Sequence, residues 1–316
     1  GGGRTRKTGA RTVPPLDVDK PYQFGHSVRG VLSSFSETGE FDRVTRTAAE
    51  VNAGALSLLR ASAANRRPVF LFVNYTEAHV PYLPASDLRD MYPGRNRRFT
   101  LMDFYALRQN VLSLERDVTG AEREHLVSQY DAALQSLDRE IGRLFAELRA
   151  MGLLENALIV ITSDHGEAFG EHGRYQHDNV IWEEGLRIPL LVHDPQRWKT
   201  GKRVAALSNQ LDVLPTVLDL LNYKVEGGEY PGYSLLDPLE ERTLMFNCWY
   251  NDLCVASIRS SDKYIYHYGK RDEQLFDLEK DPLEKTNLTG SRKEREQRRA
   301  DLFEWRSAIN AMYEGK

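Results

Sequence analysis

Two continuous apolar runs on either side of one long amphipathic segment constrain the fold of this chain most strongly. The runs at 69–73 (VFLFV) and 158–162 (LIVIT) are apolar except for the closing threonine, which is typical of strands buried on both faces of a parallel sheet. Apolar residues recur every three or four positions from 121 to 151, and Gly152 follows, so the pattern predicts one long helix. With a third run at 188–192, this order predicts an α/β fold with a mostly parallel central sheet sandwiched by helices.

Shorter patterns complete the predicted elements. The buried stripe of the long helix is predicted to contain Leu126, Tyr130, Leu134, Leu137, Ile141, Leu144, Leu148 and Met151. Further helices are predicted at 42–60, 212–221 and 292–312. Short runs separated by turn residues predict a small C-terminal antiparallel sheet with strands at 243–248, 254–259 and 263–268.

These elements divide the chain into three predicted parts. Residues 1–40 are rich in Gly, Ser, Thr and Pro and are expected to form a flexible or irregular lead-in. Residues 41–238 are expected to form the large α/β domain, and residues 239–316 a small α+β subdomain. Because the chain opens with three glycines and no methionine, we expect it to be an interior piece of a longer protein, with a naturally truncated chain as the alternative.

Composition narrows the range of partners. The chain carries 42 Lys and Arg against 46 Asp and Glu, a formal net charge of −4, which argues against a nucleic-acid partner because such proteins normally present a strongly basic surface. No apolar run approaches the length of a membrane span. Cys248 and Cys254 can pair across a hairpin or remain two unpaired small hydrophobes, and we favour the unpaired state.

The chemistry is concentrated in the segment that follows the run at 158–162. Asp164 and His165 come directly after this predicted strand, at the end where α/β sheets place their ligand sites. A carboxylate beside an imidazole, with Gly166 allowing a tight turn, is a plausible pair of metal ligands. The spacing alone is equally compatible with an ordinary polar loop.

Five sequence motifs, which stand in the same order as in one known protein family, give the chain its resemblance to that family. In chain order, the motifs are FLFVNYTEAHVPY from Phe70, SDHGE…GEHG from Ser163, WEEGLRIPL from Trp182, QLDVLPTVLDL from Gln210, and QLFDLEKDPLE with Asn287-Leu288 from Gln274. Together they resemble the sulfatase family of the alkaline-phosphatase-like superfamily over most of the chain from about residue 40 to 290.

The resemblance implies roles for four residues. Asp164 and His165 match the later half of a metal site that usually holds calcium, although an imidazole ligand leaves manganese, magnesium or zinc open because calcium prefers oxygen. His79 matches a histidine that contacts the sulfate ester, and His177 stands where the family has a lysine or histidine facing the same group. The alternatives are a structural loop aspartate and two surface histidines. Glu167 and Glu171 are interpreted as support for the metal site or as solvated loop carboxylates, and His172 as a loop-shaping group.

Two elements of the family pattern have no counterpart in this sequence. Sulfatases carry an Asp-Asp metal pair after their first strand and a C/S-x-P-S-R motif whose Cys or Ser becomes formylglycine, and the resemblance places both upstream of Gly1. A lone Asp-His pair holds a hard cation poorly, so we expect this polypeptide alone to be inactive or nearly so.

The resemblance also limits the classes of substrate that we expect. It implies a sulfuric ester hydrolase that acts on a sulfated small molecule or glycan. The alternatives are a phosphonate or phosphate-ester hydrolase, a phosphoethanolamine transferase, and a non-catalytic protein that binds sugars or anions. The residue at the nucleophile position would separate a sulfatase from the phosphoryl-group relatives, and the presence of the Asp-Asp pair would decide the non-catalytic alternative.

Overall fold

The computed structural model describes the chain in ten segments, namely residues 11–13, 46–63, 68–112, 116–178, 180–226, 230–237, 241–248, 254–269, 272–288 and 292–314. The helices and strands, in chain order, are β1 (Arg11–Val13), α1 (Ala48–Ala63), α2 (Leu101–Leu112), α3 (Gly120–Ala150), β2 (Ile159–Thr162), β3 (Ala168–Phe169), β4 (Tyr175–Gln176), α4 (Glu183–Leu186), β5 (Leu190–His193), α5 (Val213–Leu220), β6 (Tyr223–Val225), β7 (Thr243–Asn247), β8 (Cys254–Arg259), β9 (Asp262–His267), β10 (Gln274–Asp277) and α6 (Arg292–Glu314).

The long helix α3 lies within one residue of its predicted bounds at either end. Thr119 and Glu122 form a capping box at its start, which satisfies backbone N–H groups that the first turn leaves without partners. Its buried face differs from the predicted stripe, because Leu134 is 39% exposed whereas Ser128, Gln129 and Ser136 are buried. These polar side chains hydrogen-bond the backbone of the segment 85–92, so the helix supports a loop there as well as a core.

The predicted parallel central sheet is not formed by the described strands. β2 pairs antiparallel with β5, Ile161 facing Leu191. The described parallel pair is β1 with β6. β2 is half-buried rather than fully buried.

The prediction of a buried strand at 69–73 is wrong. The segment is irregular, and Phe70 and Phe72 are 86% and 81% exposed. A strand requires a neighbour that accepts its backbone hydrogen bonds, and within the described part of the chain no strand pairs with this segment. The apolar composition of the segment therefore indicates only that its side chains would be buried if a strand lay beside it.

The C-terminal antiparallel sheet is confirmed and has one strand more than predicted. Its order is β10-β9-β8-β7, and α6 packs on it through Leu302, which is fully buried with Val255 and Tyr264. Cys248 and Cys254 form a disulfide, so the expectation of unpaired thiols is wrong. The register explains the pairing, because Asn247 lies opposite Val255 and the two cysteines are the next residues along the hairpin.

One apolar core continues across the predicted boundary at residue 238. Ala168, Ile181 and Trp182 pack with Ala256 and Phe276 of the C-terminal sheet. The lead-in predicted for 1–40 lies outside the described residues, apart from the three that form β1. Every described helix is too short or too polar to cross a bilayer.

A buried ion pair fixes the start of α5. Asp212 is fully buried and accepts hydrogen bonds from the backbone N–H groups of Asn209 and Tyr233 and from the guanidinium of Arg242. Arg242 also donates to the carbonyl of Leu207. The pair therefore ties the predicted 212–221 helix, observed as α5, to the segment that leads into β7.

Candidate active site

The loop after β2 is shaped by a close backbone contact at Gly166. The Gly166 N–H donates to the carbonyl of Gly185 at 2.8 Å, and a Cβ at position 166 would lie 2.1 Å from the Glu184 carbonyl oxygen. Only glycine allows such an approach without movement of the backbone. From the other side, the Gln210 amide donates to the carbonyls of Ser163 and Asp164, so the QLDVLPT motif holds the DHGE loop in place.

Asp164 and His165 present a carboxylate and an imidazole at the end of this loop. The Asp164 side chain is 86% exposed, and its Oδ2 lies 3.6 Å from Nε2 of His165. Nδ1 of His165 hydrogen-bonds the Gly166 carbonyl, which leaves Nε2 as the nitrogen available to a ligand. The carboxylate oxygen and Nε2 can therefore contribute two donors to one cation.

His79 reaches the same place from the HVPY turn. A hydrogen bond joins Nδ1 of His79 to the Val80 carbonyl at 2.7 Å, and the imidazole is exposed. Tyr82, at the end of the turn, is buried against Phe104 and Phe169. The apolar anchor at Tyr82 therefore presents His79 to solvent at a defined position.

The structure brings the predicted site histidines together in one row. The rings of His165 and His177 are stacked with centroids 4.0 Å apart, and the ring of His79 lies 5.3 Å from that of His177. We call His79, His177 and His165 the histidine row. Asp164 flanks it beside His165, so all four residues selected from the sequence lie in one locality.

Glu167 contacts the histidine row through His177, and its structural role is larger than the sequence indicated. Its carboxylate is 5% exposed, lies 3.2 Å from Nδ1 of His177 and hydrogen-bonds Tyr82. The hydrogen bond and charge of Glu167 outweigh burial and raise the pKa of His177. Burial, reinforced by Glu167, raises the pKa of the Tyr82 hydroxyl. The burial of this carboxylate could not be predicted from the sequence, because Glu167 sits among loop residues.

The other residues considered with this loop lie away from the histidine row. Glu171 is held by Arg123 at 2.8 Å. His172 contacts Glu184 and the carbonyl of Glu284, in accord with its interpretation as a loop-shaping residue. Next to the row, Arg108 of α2 donates to the Gln176 side-chain carbonyl, a contact that nothing in the sequence pattern indicated.

The donor set present does not make a complete calcium site. Within the residues that the structure describes, no group of three or more His, Cys, Asp and Glu side chains is placed to hold a metal ion. Calcium takes about six to eight oxygen ligands, whereas Asp164 and His165 offer one carboxylate and one nitrogen. These two residues alone therefore do not complete a metal site.

Comparison with known proteins identifies the family. A family model described as "Sulfatase" matches residues 43–223, and one described as "N-sulphoglucosamine sulphohydrolase, C-terminal" matches residues 170–304. The chain belongs to the sulfatase family. The resemblance stated from sequence motifs is thereby confirmed.

Individual sulfatases and solved structures agree with this assignment. An arylsulfatase of Clostridium perfringens is 27% identical over 247 residues, covering 73% of this chain and 51% of that protein. An N-acetylglucosamine-6-O-sulfatase of Bacteroides thetaiotaomicron is 32% identical over 183 residues, covering 53% of this chain and 32% of that protein. The chain thus spans a third to a half of these sulfatases.

The fold is shared with a phosphonate monoester hydrolase of Agrobacterium radiobacter. Its crystal structure superimposes with a TM-score of 0.63 at 18% identity, covering 84% of this chain and 62% of that one. The likeness supports an alkaline-phosphatase-like fold for this chain, while the predicted mostly parallel central sheet is not formed by the described strands.

Proposed function

We propose that this sulfatase-family chain forms the later part of a sulfuric ester hydrolase active site, with the histidine row facing the sulfate group. The observation that carries the proposal is the convergence of His79, His165 and His177 beside Asp164 from three separate segments of the chain. Imidazole N–H groups donate hydrogen bonds to a tetrahedral anion and can pass a proton to a leaving oxygen.

Each member of the site has a distinct proposed role. His79 and His177 bind the sulfate oxygens, and Glu167 holds Nδ1 of His177 so that Nε2 is directed to the substrate. Asp164 and His165 contribute two ligands to a divalent cation, which in the family is usually calcium and whose identity the imidazole leaves open to manganese, magnesium or zinc. When bound, such a cation supplies positive charge to a transferring group. Formylglycine is expected from sequence upstream of this chain.

We further propose that the 316-residue polypeptide is inactive or nearly inactive by itself. Two candidate ligands hold a hard cation weakly, because affinity depends on ligand charge and number. The test is hydrolysis of 4-nitrophenyl sulfate by the purified chain with Ca²⁺, Mn²⁺, Mg²⁺ or Zn²⁺ supplied in turn. Metal-dependent turnover would overturn this part of the proposal.

Anion binding can be tested without turnover. Titration of inorganic sulfate into the isotopically labelled chain should shift the imidazole signals of His79 and His177. His177→Asn should weaken the binding about 10- to 150-fold, since a hydrogen bond to a charged group contributes about 1.5–3 kcal/mol. His193 in β5 is exposed, and His193→Asn is the matched control. Unmoved signals at both histidines would refute the site.

The second candidate is a phosphonate or phosphate-ester hydrolase, favoured by the structural likeness to the phosphonate monoester hydrolase. Sulfate and phosphate esters make similar geometric demands on hydrogen-bond donors. Comparison of 4-nitrophenyl sulfate with 4-nitrophenyl phenylphosphonate in a protein that contains the upstream segment would separate the two. For a sulfatase, we propose a sulfated small molecule or glycan as substrate, supported by the arylsulfatase and the glucosamine sulfatase among the relatives.

A further inference from the structure

Each ring nitrogen of His172 faces an oxygen atom that accepts a hydrogen bond. One is a backbone carbonyl and the other belongs to a carboxylate, and neither can donate while that carboxylate is ionised. Nδ1 lies 2.8 Å from the Glu184 carboxylate, and Nε2 lies 2.9 Å from the backbone carbonyl of Glu284. A neutral imidazole carries one N–H and an imidazolium carries two. Only the cation satisfies both contacts while Glu184 is ionised.

The surroundings of His172 favour this positive charge. The ring stacks on Trp182 with centroids 4.7 Å apart and planes within 3°, the arrangement in which an aromatic face attracts a cation. Burial acts to lower the pKa of His172, but the hydrogen bonds to Glu184 and Glu284 and the charges of both residues raise it overall. The side chains of His172 and Glu184 are only 15% and 14% exposed, so water screens the pair poorly.

The charged groups around His172 come from four elements. Those that face it or adjoin its contacts are Glu184 and Glu183 of α4, Glu284 and Asp281 of the turn after β10, Lys263 of β9, and the neighbouring Glu171, which is paired with Arg123. Glu183 and Glu284 both pair with the single ammonium of Lys263, and Glu184 pairs with His172. A second positive charge on His172 brings the cluster closer to neutrality.

Glu284 is the centre of this cluster and is fully buried. Its carboxylate lies 2.9 Å from Nζ of Lys263, whose side chain is also fully buried, and it accepts a hydrogen bond from the Glu183 backbone N–H. Both His172 and Glu284 adopt left-handed backbone angles, with φ of 52° and 50°. Such angles are strained in a non-glycine residue and persist where the surroundings over-determine them.

The cluster is connected directly to the loop that bears Asp164 and His165. Glu183 begins α4, and the backbone of Glu184 and Gly185 forms the contact that Gly166 requires. The Gly166 N–H donates to Gly185 at 2.8 Å. A displacement of Glu183 or Glu184 is therefore transmitted to Gly166 and to the residues before it.

We propose that His172 is a cation which, with the buried carboxylate of Glu284, clamps the C-terminal DPLE turn onto the DHGE loop. His172 and Glu284 are thus positioning residues. Their relevance to ester hydrolysis rests on the proposed function, whereas the clamp itself does not. In the sequence, the DPLE motif was recognised only by its resemblance to the family. In the proposed clamp, Glu284 of this motif holds the two segments together.

The charge of His172 is tested by nitrogen-15 spectroscopy on the full chain. At neutral pH, both ring nitrogens of His172 should show the chemical shifts of a protonated imidazolium, and His172→Gln should remove these signals and so assign them. A single neutral tautomer at neutral pH would overturn the proposed cation.

The clamp is tested by hydrogen exchange on the same chain. Glu284→Ala should accelerate exchange of the amides of Gly166 and Glu183 by about 10- to 100-fold, the factor that corresponds to loss of a charge-assisted hydrogen bond. Exchange within α3 should remain unchanged, which separates loosening of the loop from general destabilisation. Glu279→Ala, in the exposed turn three residues after Phe276, is the matched control.

A second variant keeps the test decisive if Glu284→Ala fails to fold. The double substitution Lys263→Met with Glu284→Leu replaces a buried ion pair by apolar groups, which often preserves stability, but it removes the acceptor of the Glu183 N–H. Faster exchange at Gly166 in this variant supports the clamp, and unchanged exchange refutes it. Since no substrate is present, the result is independent of whether the chain belongs to a sulfate- or phosphonate-ester hydrolase.

Discussion

The carboxylate of Glu167 lies 3.2 Å from Nδ1 of His177, and its side chain is 5% exposed. Through the same carboxylate it is hydrogen-bonded to the buried Tyr82. The loop that carries Asp164 is thereby linked to the turn that carries His79. The histidine row therefore depends on the buried carboxylate of Glu167.

We expect Glu167→Ala to lower the free energy of unfolding by about 1.5–3 kcal/mol, because the substitution leaves Tyr82 and His177 without a charged acceptor. Urea denaturation of the full chain measures the change. Glu155→Ala, at an exposed position just before β2, is the control and should leave stability unchanged. Equal effects of the two substitutions would contradict the structural role of Glu167.

Gly166→Ala should destabilise the chain by at least about 1–3 kcal/mol, because its Cβ would overlap the Glu184 carbonyl oxygen and force the backbone apart. Gly142→Ala in α3 is the matched control, since a Cβ there meets nothing within 4 Å. This second substitution should stabilise the helix by about 0.5–1 kcal/mol. The two changes are thus expected to have opposite signs in thermal denaturation, and a neutral result at position 166 would disprove the close contact.

Asp212→Asn should cost about 3–5 kcal/mol of unfolding free energy, because it leaves Arg242 half-buried without its ionised partner. Asp138→Asn, at an exposed position on α3, serves as the comparison and should change little. The measurement is the urea midpoint together with the slope of the transition. A midpoint for Asp212→Asn that matches the Asp138→Asn control would show that the pair contributes nothing.

The stability contributed by His172 should depend on pH. Its pKa is raised in the folded state by the Glu184 carboxylate and the Glu284 carbonyl, against the opposing effect of burial. The contribution is therefore complete below the unfolded-state value of about 6.5 and is lost as pH rises through the folded-state pKa. The difference in unfolding free energy between the wild type and His172→Gln should accordingly shrink as pH increases.

His125 supplies a comparison of opposite sign in the same experiment. Burial, with a smaller effect of Arg95, lowers its pKa, and its Nδ1 accepts a hydrogen bond from the Asn96 N–H. Its contribution should be complete above about pH 6.5 and decline as pH falls through the lowered folded-state pKa. A His172→Gln profile that runs parallel to that of His125→Gln would contradict the assigned charge.

Local periodicity predicted most of the helices and the C-terminal strands. The long helix α3 and the strands β7, β8 and β9 lie within one or two residues of their predicted bounds, because these patterns depend on neighbours along the chain. Asp164 and His165 were selected because they follow a strand-like run, and His79 and His177 because their motifs match the family. The structure places all four close together, and their roles remain predictions.

Burial of charge could not be predicted from the sequence in the same way. Lys263 lies in β9 and reads as an ordinary solvated lysine, but its partner Glu183 precedes it by 80 residues. The prediction of a strand at 69–73 was wrong for a related reason, since apolar composition does not specify which strand lies beside the segment. In both cases the missing information is a contact between distant segments.

The position of Glu284 also has a consequence for synthesis of the protein. It follows Glu183, to which it is bound, by 101 residues, and a ribosome releases the N-terminal segment first. The loop bearing Asp164 and His165 therefore emerges long before the turn that grips it. A nascent chain halted anywhere in that interval would contain the whole histidine row, yet the row would lack its clamp until translation had passed Glu284.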